Sequence, residues 1–189
     1  MIDSITGVVL AGGKSTRMGL NKAQMPYRDR ALIEFPIETL GRVFSRVILS
    51  VHRQEDYSEL ALSRIQDRYD ETGPLGGITS VLETGIARIF CVACDMPFLN
   101  TDLIEYLCGI TDCDAVLPVW ENRPETLHAV YSQTLLPLFQ QALKSGNYRL
   151  TDALSGAHVR YIQKDTIVRL DPRGDSFRNV NTPFDFQEL

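Results

Sequence analysis

Apolar runs of strand length alternate with helix-length amphipathic segments through the first two thirds of the chain. That order leaves few architectures open: it predicts an α/β fold with a mostly parallel mixed sheet and crossover helices. The expected strands are Ile5 to Leu10, Arg46 to Val51, Arg88 to Ala93, Ala115 to Pro118, Leu127 to Tyr131 and His158 to Ile162. Between them, Ile78, Val81 and Leu82 recur at helical spacing behind Pro74 and ahead of Gly85. Leu103, Ile104 and Leu107 do so between Asn100 or Thr101 as N-cap and Gly109 as terminator, and Leu135, Leu138, Phe139, Ala142 and Leu143 mark another helix. A helix through Leu32, Ile33, Ile37 and Leu40 carries Pro36 in its first turn or is kinked by it.

At 189 residues, 44% apolar and 23% charged, the chain is expected to form one compact domain without disulfide staples. No apolar run approaches the ~20 residues needed to cross a bilayer. The first strand follows Asp3 and not a basic cluster, so it does not read as a signal peptide, and a cytoplasmic protein is expected. A net charge of −5 disfavours nucleic acid as the main partner. Cys91, Cys94, Cys108 and Cys113 invite a zinc reading, but residues three apart on a strand point to opposite faces, so buried small hydrophobes are the expectation. His52, His128 and His158 are scattered and form no evident triad with a serine or cysteine, which gives a hydrolase little support.

In open parallel sheets ligands bind beyond the carboxyl ends of the strands. There the first strand runs into Leu10-Ala11-Gly12-Gly13-Lys14-Ser15-Thr16-Arg17-Met18-Gly19-Leu20-Asn21-Lys22. Adjacent glycines let backbone N–H groups approach an anion, and Arg17 and Lys22 add charges suited to a polyphosphate. A P-loop fails on spacing, because GxxxxGK[ST] ending at Ser15 needs glycine where Val8 stands. Asp95 follows the apolar strand Arg88 to Ala93, and Pro97 stops the ladder. A single carboxylate so placed suits Mg²⁺, which keeps several waters, or equally the capping of the turn before Pro97.

The string LAGGKSTRMGLNK resembles the LAGGxSxRMGxxK signature of nucleotidyltransferases with a Rossmann-like fold, and CDMPFL from Cys94 to Leu99 resembles their metal-binding segment. Gly73-Pro74-Leu75-Gly76-Gly77 resembles the GPLxG segment of the molybdenum cofactor guanylyltransferases, the MobA-like proteins, and Asn179-Val180-Asn181-Thr182-Pro183 their NxNTP ending. The resemblance implies a three-layer α/β/α domain with a nucleotide-binding part about 1–110 and an acceptor-binding part about 111–189. It implies transfer of GMP from GTP to the terminal phosphate of molybdopterin carrying molybdenum or tungsten. A cytidylyl, sugar-nucleotide or phospholactate-type transferase, or a non-catalytic nucleotide-binding regulatory subunit, stands as the alternative.

On this resemblance Arg17, Lys22 and Asp95 are catalytic, with Asp95 holding Mg²⁺. GTP is bound by Leu10, Ala11, Gly12, Gly13, Lys22, Ser50, Asp67, Pro74, Leu75, Gly76 and Asp95. Asp67 accepts hydrogen bonds from ribose hydroxyls or from guanine N–H groups. Asn179 and Asn181 serve the acceptor, and a protein that receives the finished cofactor is the expected partner. Two positions depart from the pattern: Ser50, with His52 close by, stands where asparagine is common, and Asn21 where aspartate is common before Lys22. Trp120 to Pro124 reads as an exposed, mobile connection bordering the acceptor site.

Overall fold

The computed structural model describes residues 1–12, 26–27 and 30–180. In chain order its elements are β1 (Thr6–Leu10), β2 (Pro26–Tyr27), β3 (Arg30–Ala31), α1 (Glu34–Val43), β4 (Val47–Val51), β5 (Ser63–Gln66), α2 (Pro74–Leu82) and β6 (Arg88–Ala93). There follow α3 (Thr101–Cys108), β7 (Ala115–Trp120), β8 (Arg123–Pro124), β9 (His128–Ser132), α4 (Leu136–Ser145), α5 (Leu150–Ala153), β10 (Val159–Ile162) and α6 (Lys164–Ile167). Pro36 is the third residue of α1, within its first turn, where it removes no intrahelical hydrogen bond.

One mixed sheet runs in the order β10-β7-β9-β6-β1-β4-β5. β9 lies antiparallel to both neighbours, and the other pairings along this path are parallel. The strands are apolar on both sides because helices cover both faces. Val9, Leu49, Val51, Phe90, Val92, Val116 and Val130 point toward the layer that holds α1, α3 and α6. Val8, Ile48, Ile89, Cys91, Leu117, Ala129 and Tyr131 point toward α2, α4 and α5. Each fully buried Val, Leu, Ile or Phe contributes about 1.5–3 kcal/mol. Cys91 therefore belongs to one layer, while Cys94, past the end of the same strand, packs against the other. No described helix is long and apolar enough to cross a membrane.

Trp120 to Pro124 is a paired hairpin whose Glu121, Asn122 and Arg123 are exposed, as expected, while Trp120 and Pro124 are half-buried. Trp120 pairs with Arg123 and Val119 with Pro124 in a β-hairpin, with Glu121 (φ 47°) and Asn122 (φ 63°) at its tip. Two central residues at positive φ match the twist of the flanking strands. The Trp120 ring is half-buried against Phe177, whose ring centroid is 5.5 Å away, and so has an apolar reason to stay in place.

The chain runs from β1 out to β4 and β5, then returns to place β6 on the other side of β1. Sequence-adjacent elements thus diverge on either side of β1, which opens a crevice at the carboxyl ends of these strands.

Candidate active site

A cavity of about 510 Å³ occupies that crevice, within the size range of small-molecule sites. Its floor is made by strand ends. Leu10, Ala11 and Gly12 continue β1, held on one side by the Ala11 N–H donating to Ser50 O (2.8 Å) and on the other by the Cys94 N–H donating to Leu10 O (3.2 Å). Ser50 and His52 come from the end of β4, Asp67 from the end of β5, and Ala93, Cys94 and Asp95 from the end of β6. A Cβ on Gly12 would make only ordinary contact, 3.5 Å from His52 N. No neighbour among the described residues demands glycine there.

The opposite wall is the segment from Asp67 to Pro74 and the first turn of α2. Gly73 takes φ 63° and ψ −152°, a conformation open essentially to glycine alone, and Pro74 begins the helix with its preset φ. Gly76 and Gly77 let this turn lie flush against the strand ends. A Cβ on Gly77 would stand 2.7 Å from Ser50 Oγ and 3.3 Å from Leu10 Cδ2; one on Gly76 would stand 2.1 Å from Thr72 Oγ1 and 3.0 Å from Asp67 Oδ1.

Among the described residues, Asp67 is held on one side only. Its Oδ1 accepts from the Tyr69 N–H (2.9 Å) and lies 3.2 Å from the Ser80 hydroxyl, while Oδ2 lies on the side of Gly77. Partial burial raises the Asp67 pKa, and the Tyr69 and Ser80 hydrogen bonds oppose that rise. Tyr69 is fixed in turn: its hydroxyl donates to Glu83 Oε1 (2.6 Å), which also accepts from Gln140 Nε2 (2.8 Å). Bonding to that carboxylate pushes the tyrosine pKa up to about 12. The wall is therefore tied to α2 through Glu83, at its carboxyl end, and to α4 through Gln140.

Asp95 is the second residue of the turn that follows β6, and its carbonyl accepts the Val180 N–H at 2.9 Å. This bond brings the end of the described chain to the cavity, where Asn179 lines the rim. Asp95 offers the hard oxygen that a Mg²⁺ ion takes, and no cluster of three or more potential ligands occurs among the described residues. A site of one carboxylate completed by substrate oxygens and water fits that donor set.

The residues expected from the sequence divide as follows. Leu10, Ala11, Gly12, Ser50, Asp67, Pro74, Asp95 and Asn179 surround one cavity. The Leu75 side chain is fully buried in the α2 layer, and Gly76 sits behind Asp67 without lining the cavity. Gly13, Arg17, Lys22 and Asn181 lie outside the described residues. Sequence reasoning passed over Tyr57, Tyr69, Glu71, Thr72 and Leu127, which also line it, and noted Cys94 and His52 only in passing. Tyr57 (φ 55°) and Glu71 (φ 59°) hold a left-handed backbone uncommon for such side chains. Spacing gives no sign of either.

The MobA-like NTP transferase domain model matches residues 7–160 of this chain. A protein named "Probable molybdenum cofactor guanylyltransferase" from Methanosarcina mazei is 33% identical to it, over 97% of this chain and 89% of its own length. A molybdenum cofactor guanylyltransferase from Syntrophotalea carbinolica is 29% identical over 97% of this chain and 89% of its own. The crystal structure of molybdopterin-guanine dinucleotide biosynthesis protein A from Archaeoglobus fulgidus superposes with a TM-score of 0.85 at 25% identity, covering 97% of this chain and 96% of that one. The 4-diphosphocytidyl-2C-methyl-D-erythritol synthase of Anaerococcus prevotii, at 12% identity and a TM-score of 0.71, shares the fold. With a family model spanning most of its length and relatives matched nearly end to end, this chain belongs to the MobA-like NTP transferase family.

Proposed function

We propose that this protein is a molybdenum cofactor guanylyltransferase: it transfers GMP from GTP to the terminal phosphate of molybdopterin carrying molybdenum or tungsten and releases pyrophosphate. The observation that carries the reading is the convergence of Gly12, Ser50, Asp67, Asp95 and Asn179 on one cavity at the strand ends, in a chain whose relatives bear that activity in their names.

The acceptor is already a nucleophile, because the second pKa of a phosphate monoester is about 6. An oxygen of that phosphate attacks the α-phosphorus of GTP, a P–O bond forms, and the bond to the β-phosphate bridging oxygen breaks with its electron pair on the departing pyrophosphate. No proton need be removed by a base. The difficulty is repulsion between anions, so the protein's part is positioning and electrostatic stabilisation. Ser50 and Asp67 hold the nucleoside, Asp67 with one oxygen anchored and the other turned toward the Gly77 side. The backbone at Gly12 and Gly13 faces the phosphates, Arg17 and Lys22 neutralise charge at the α-phosphorus and the leaving group, and Asn179 and Asn181 meet the pterin. Asp95 would hold Mg²⁺, which when bound shields charge on the triphosphate.

The nucleotide is thus assigned to residues about 1–110 and the acceptor to about 111–189, in a reaction set in the cytoplasm, with transfer of the product to a receiving protein. The test is mass spectrometry of the product after incubation with GTP, Mg²⁺ and metal-loaded molybdopterin, together with pyrophosphate release from GTP, ATP, CTP and UTP, each offered molybdopterin or a sugar phosphate. The guanine dinucleotide, formed from GTP alone, is expected. Release driven by CTP or by a sugar phosphate overturns the substrate assignment; tight GTP binding without turnover for any acceptor marks a regulatory subunit.

A further inference from the structure

The segment that follows α6 holds one 3-10 turn, Asp175–Phe177, and is anchored mainly by side chains. Asp171, only 4% exposed, turns back on its own chain: its Oδ1 accepts the Asp175 N–H (3.1 Å) and its Oδ2 the Ser176 N–H (2.9 Å). Between them Gly174 takes φ 65° beneath the Trp120 indole, so close that a Cβ there would stand 2.3 Å from the ring. Ser176 is fully buried, and its hydroxyl accepts the Asn100 N–H at 2.9 Å. The Asn100 side chain donates to Leu170 O (3.0 Å) while its own oxygen caps α3 by accepting the Leu103 N–H (3.0 Å). Phe177 sets its ring against Trp120 and, edge to face, against His128. Three residues later the Val180 N–H reaches Asp95 O.

Asp171 is absent from the lining of the cavity, yet the bonds that fix the path to Asn179 start from it. A buried carboxylate that accepts two main-chain N–H groups makes charge-assisted hydrogen bonds, the stronger kind. We propose that Asp171 is a positioning residue for the acceptor half of the site: through Ser176 and Phe177 it sets where Asn179 stands beside Asp95, and it leaves the nucleotide half, built on β1, β4 and β5, unaffected. This inference rests on the reading of the cleft as a guanylyltransferase site.

Asp171→Asn keeps the size but has a single acceptor oxygen for two donors, and Ser176→Ala removes the acceptor for the Asn100 N–H. Trp120 is the only tryptophan in the chain, so its emission reports the seating of Phe177 and Gly174 without any turnover. The full-length wild type and both variants are compared by tryptophan emission and acrylamide quenching, and by KM for GTP and for metal-loaded molybdopterin. In the variants, red-shifted and more quenchable emission is expected, with the acceptor KM raised about tenfold or more, as misplacement of a positioning group produces. The GTP KM is expected within about twofold of wild type. If Asp171→Asn fails to fold by circular dichroism, Ser176→Ala carries the same comparison. An active wild type with variants whose acceptor KM is unchanged, or whose two KM values rise together, overturns this inference alone. A wild type inactive with that acceptor overturns the reading of the cleft, and this inference with it.

Discussion

Replacing Gly76 by alanine sets two effects of opposite sign against each other, and the structure says which prevails. Alanine is favoured over glycine within a helix by about 1 kcal/mol, and Gly76 is the third residue of α2. Against that, the new Cβ would lie 2.1 Å from Thr72 Oγ1 and 3.0 Å from both Asp67 Oδ1 and Tyr69 Cβ. Thr72 cannot swing away at no cost, because its hydroxyl donates to Tyr69 O at 2.9 Å. Losing that bond costs about 1 kcal/mol, and overpacking a tight site adds about 1–3 kcal/mol. The net is a loss of about 2 kcal/mol, or roughly 4–8 °C in Tm for a chain of this size. Gly41 in α1 supplies the control, since a Cβ there meets no atom of the described residues within 4 Å. Gly41→Ala is expected to raise stability by about 0.5–1 kcal/mol through propensity alone. The assay is urea denaturation of both variants beside wild type, with GTP titrated into each by calorimetry. Because the Gly76 methyl also presses on Asp67 Oδ1, a weakening of GTP binding accompanies the loss of stability. A Gly76→Ala protein that gains stability in step with Gly41→Ala refutes the reasoning.

Asp95→Ala and Lys22→Ala are each expected to lower turnover at least about a hundredfold, the scale of losing one charge-stabilising group; near-normal pyrophosphate release in either removes that residue from the mechanism. Burial without a hydrogen-bond partner among the described residues drives the His128 pKa down to about 3 from its ordinary 6.5, so the unfolded chain takes up a proton that the folded one refuses, and stability falls as pH drops from about 6.5 toward 3. At pH 5 the loss is about 2 kcal/mol relative to pH 7.5, read as a Tm difference that His128→Leu abolishes; an equal pH dependence in the variant contradicts the assignment. Glu121, at φ 47° in the β7–β8 turn, carries strain that asparagine tolerates better, so Glu121→Asn is expected to raise stability by about 0.5–1 kcal/mol in thermal melts.

Strands buried on both faces were the easiest features to read. Ile5 to Leu10 and Arg88 to Ala93 are apolar because helices cover them from both sides, and a run of that kind has few other uses. β5 carries much less signal: Ser63, Arg64, Ile65 and Gln66 form an edge strand with no fully buried residue, so only Ile65 hints at it. The hairpin at Glu121 and Asn122 lacks the glycine that usually announces such a turn. At the site, glycines and aspartates next to strand ends were legible because chemistry at the carboxyl edge restricts residue type. Tyr57, Glu71 and the Asn100 contacts with Leu170 and Ser176 were not. Their places depend on loop conformation or on pairing across some seventy residues of chain, and neither has a local period.

The cavity therefore combines two kinds of support. Its nucleotide side is made of backbone at the ends of adjacent parallel strands, where register leaves little freedom: Ala11 is tied to Ser50, Cys94 to Leu10 and Asp67 to Val51. Its acceptor side is made of one segment outside the sheet, tied down by side chains, above all by the Asp171 carboxylate and the Phe177 ring. Asp95 stands where the two meet. The strand side reaches it through the Cys94 N–H, one residue before, and the segment reaches it through the Val180 N–H on its own carbonyl. The acceptor side, resting on side-chain contacts and not on strand register, is then the side on which substitution can change what the site accepts while the strand ends keep their hold on the nucleotide.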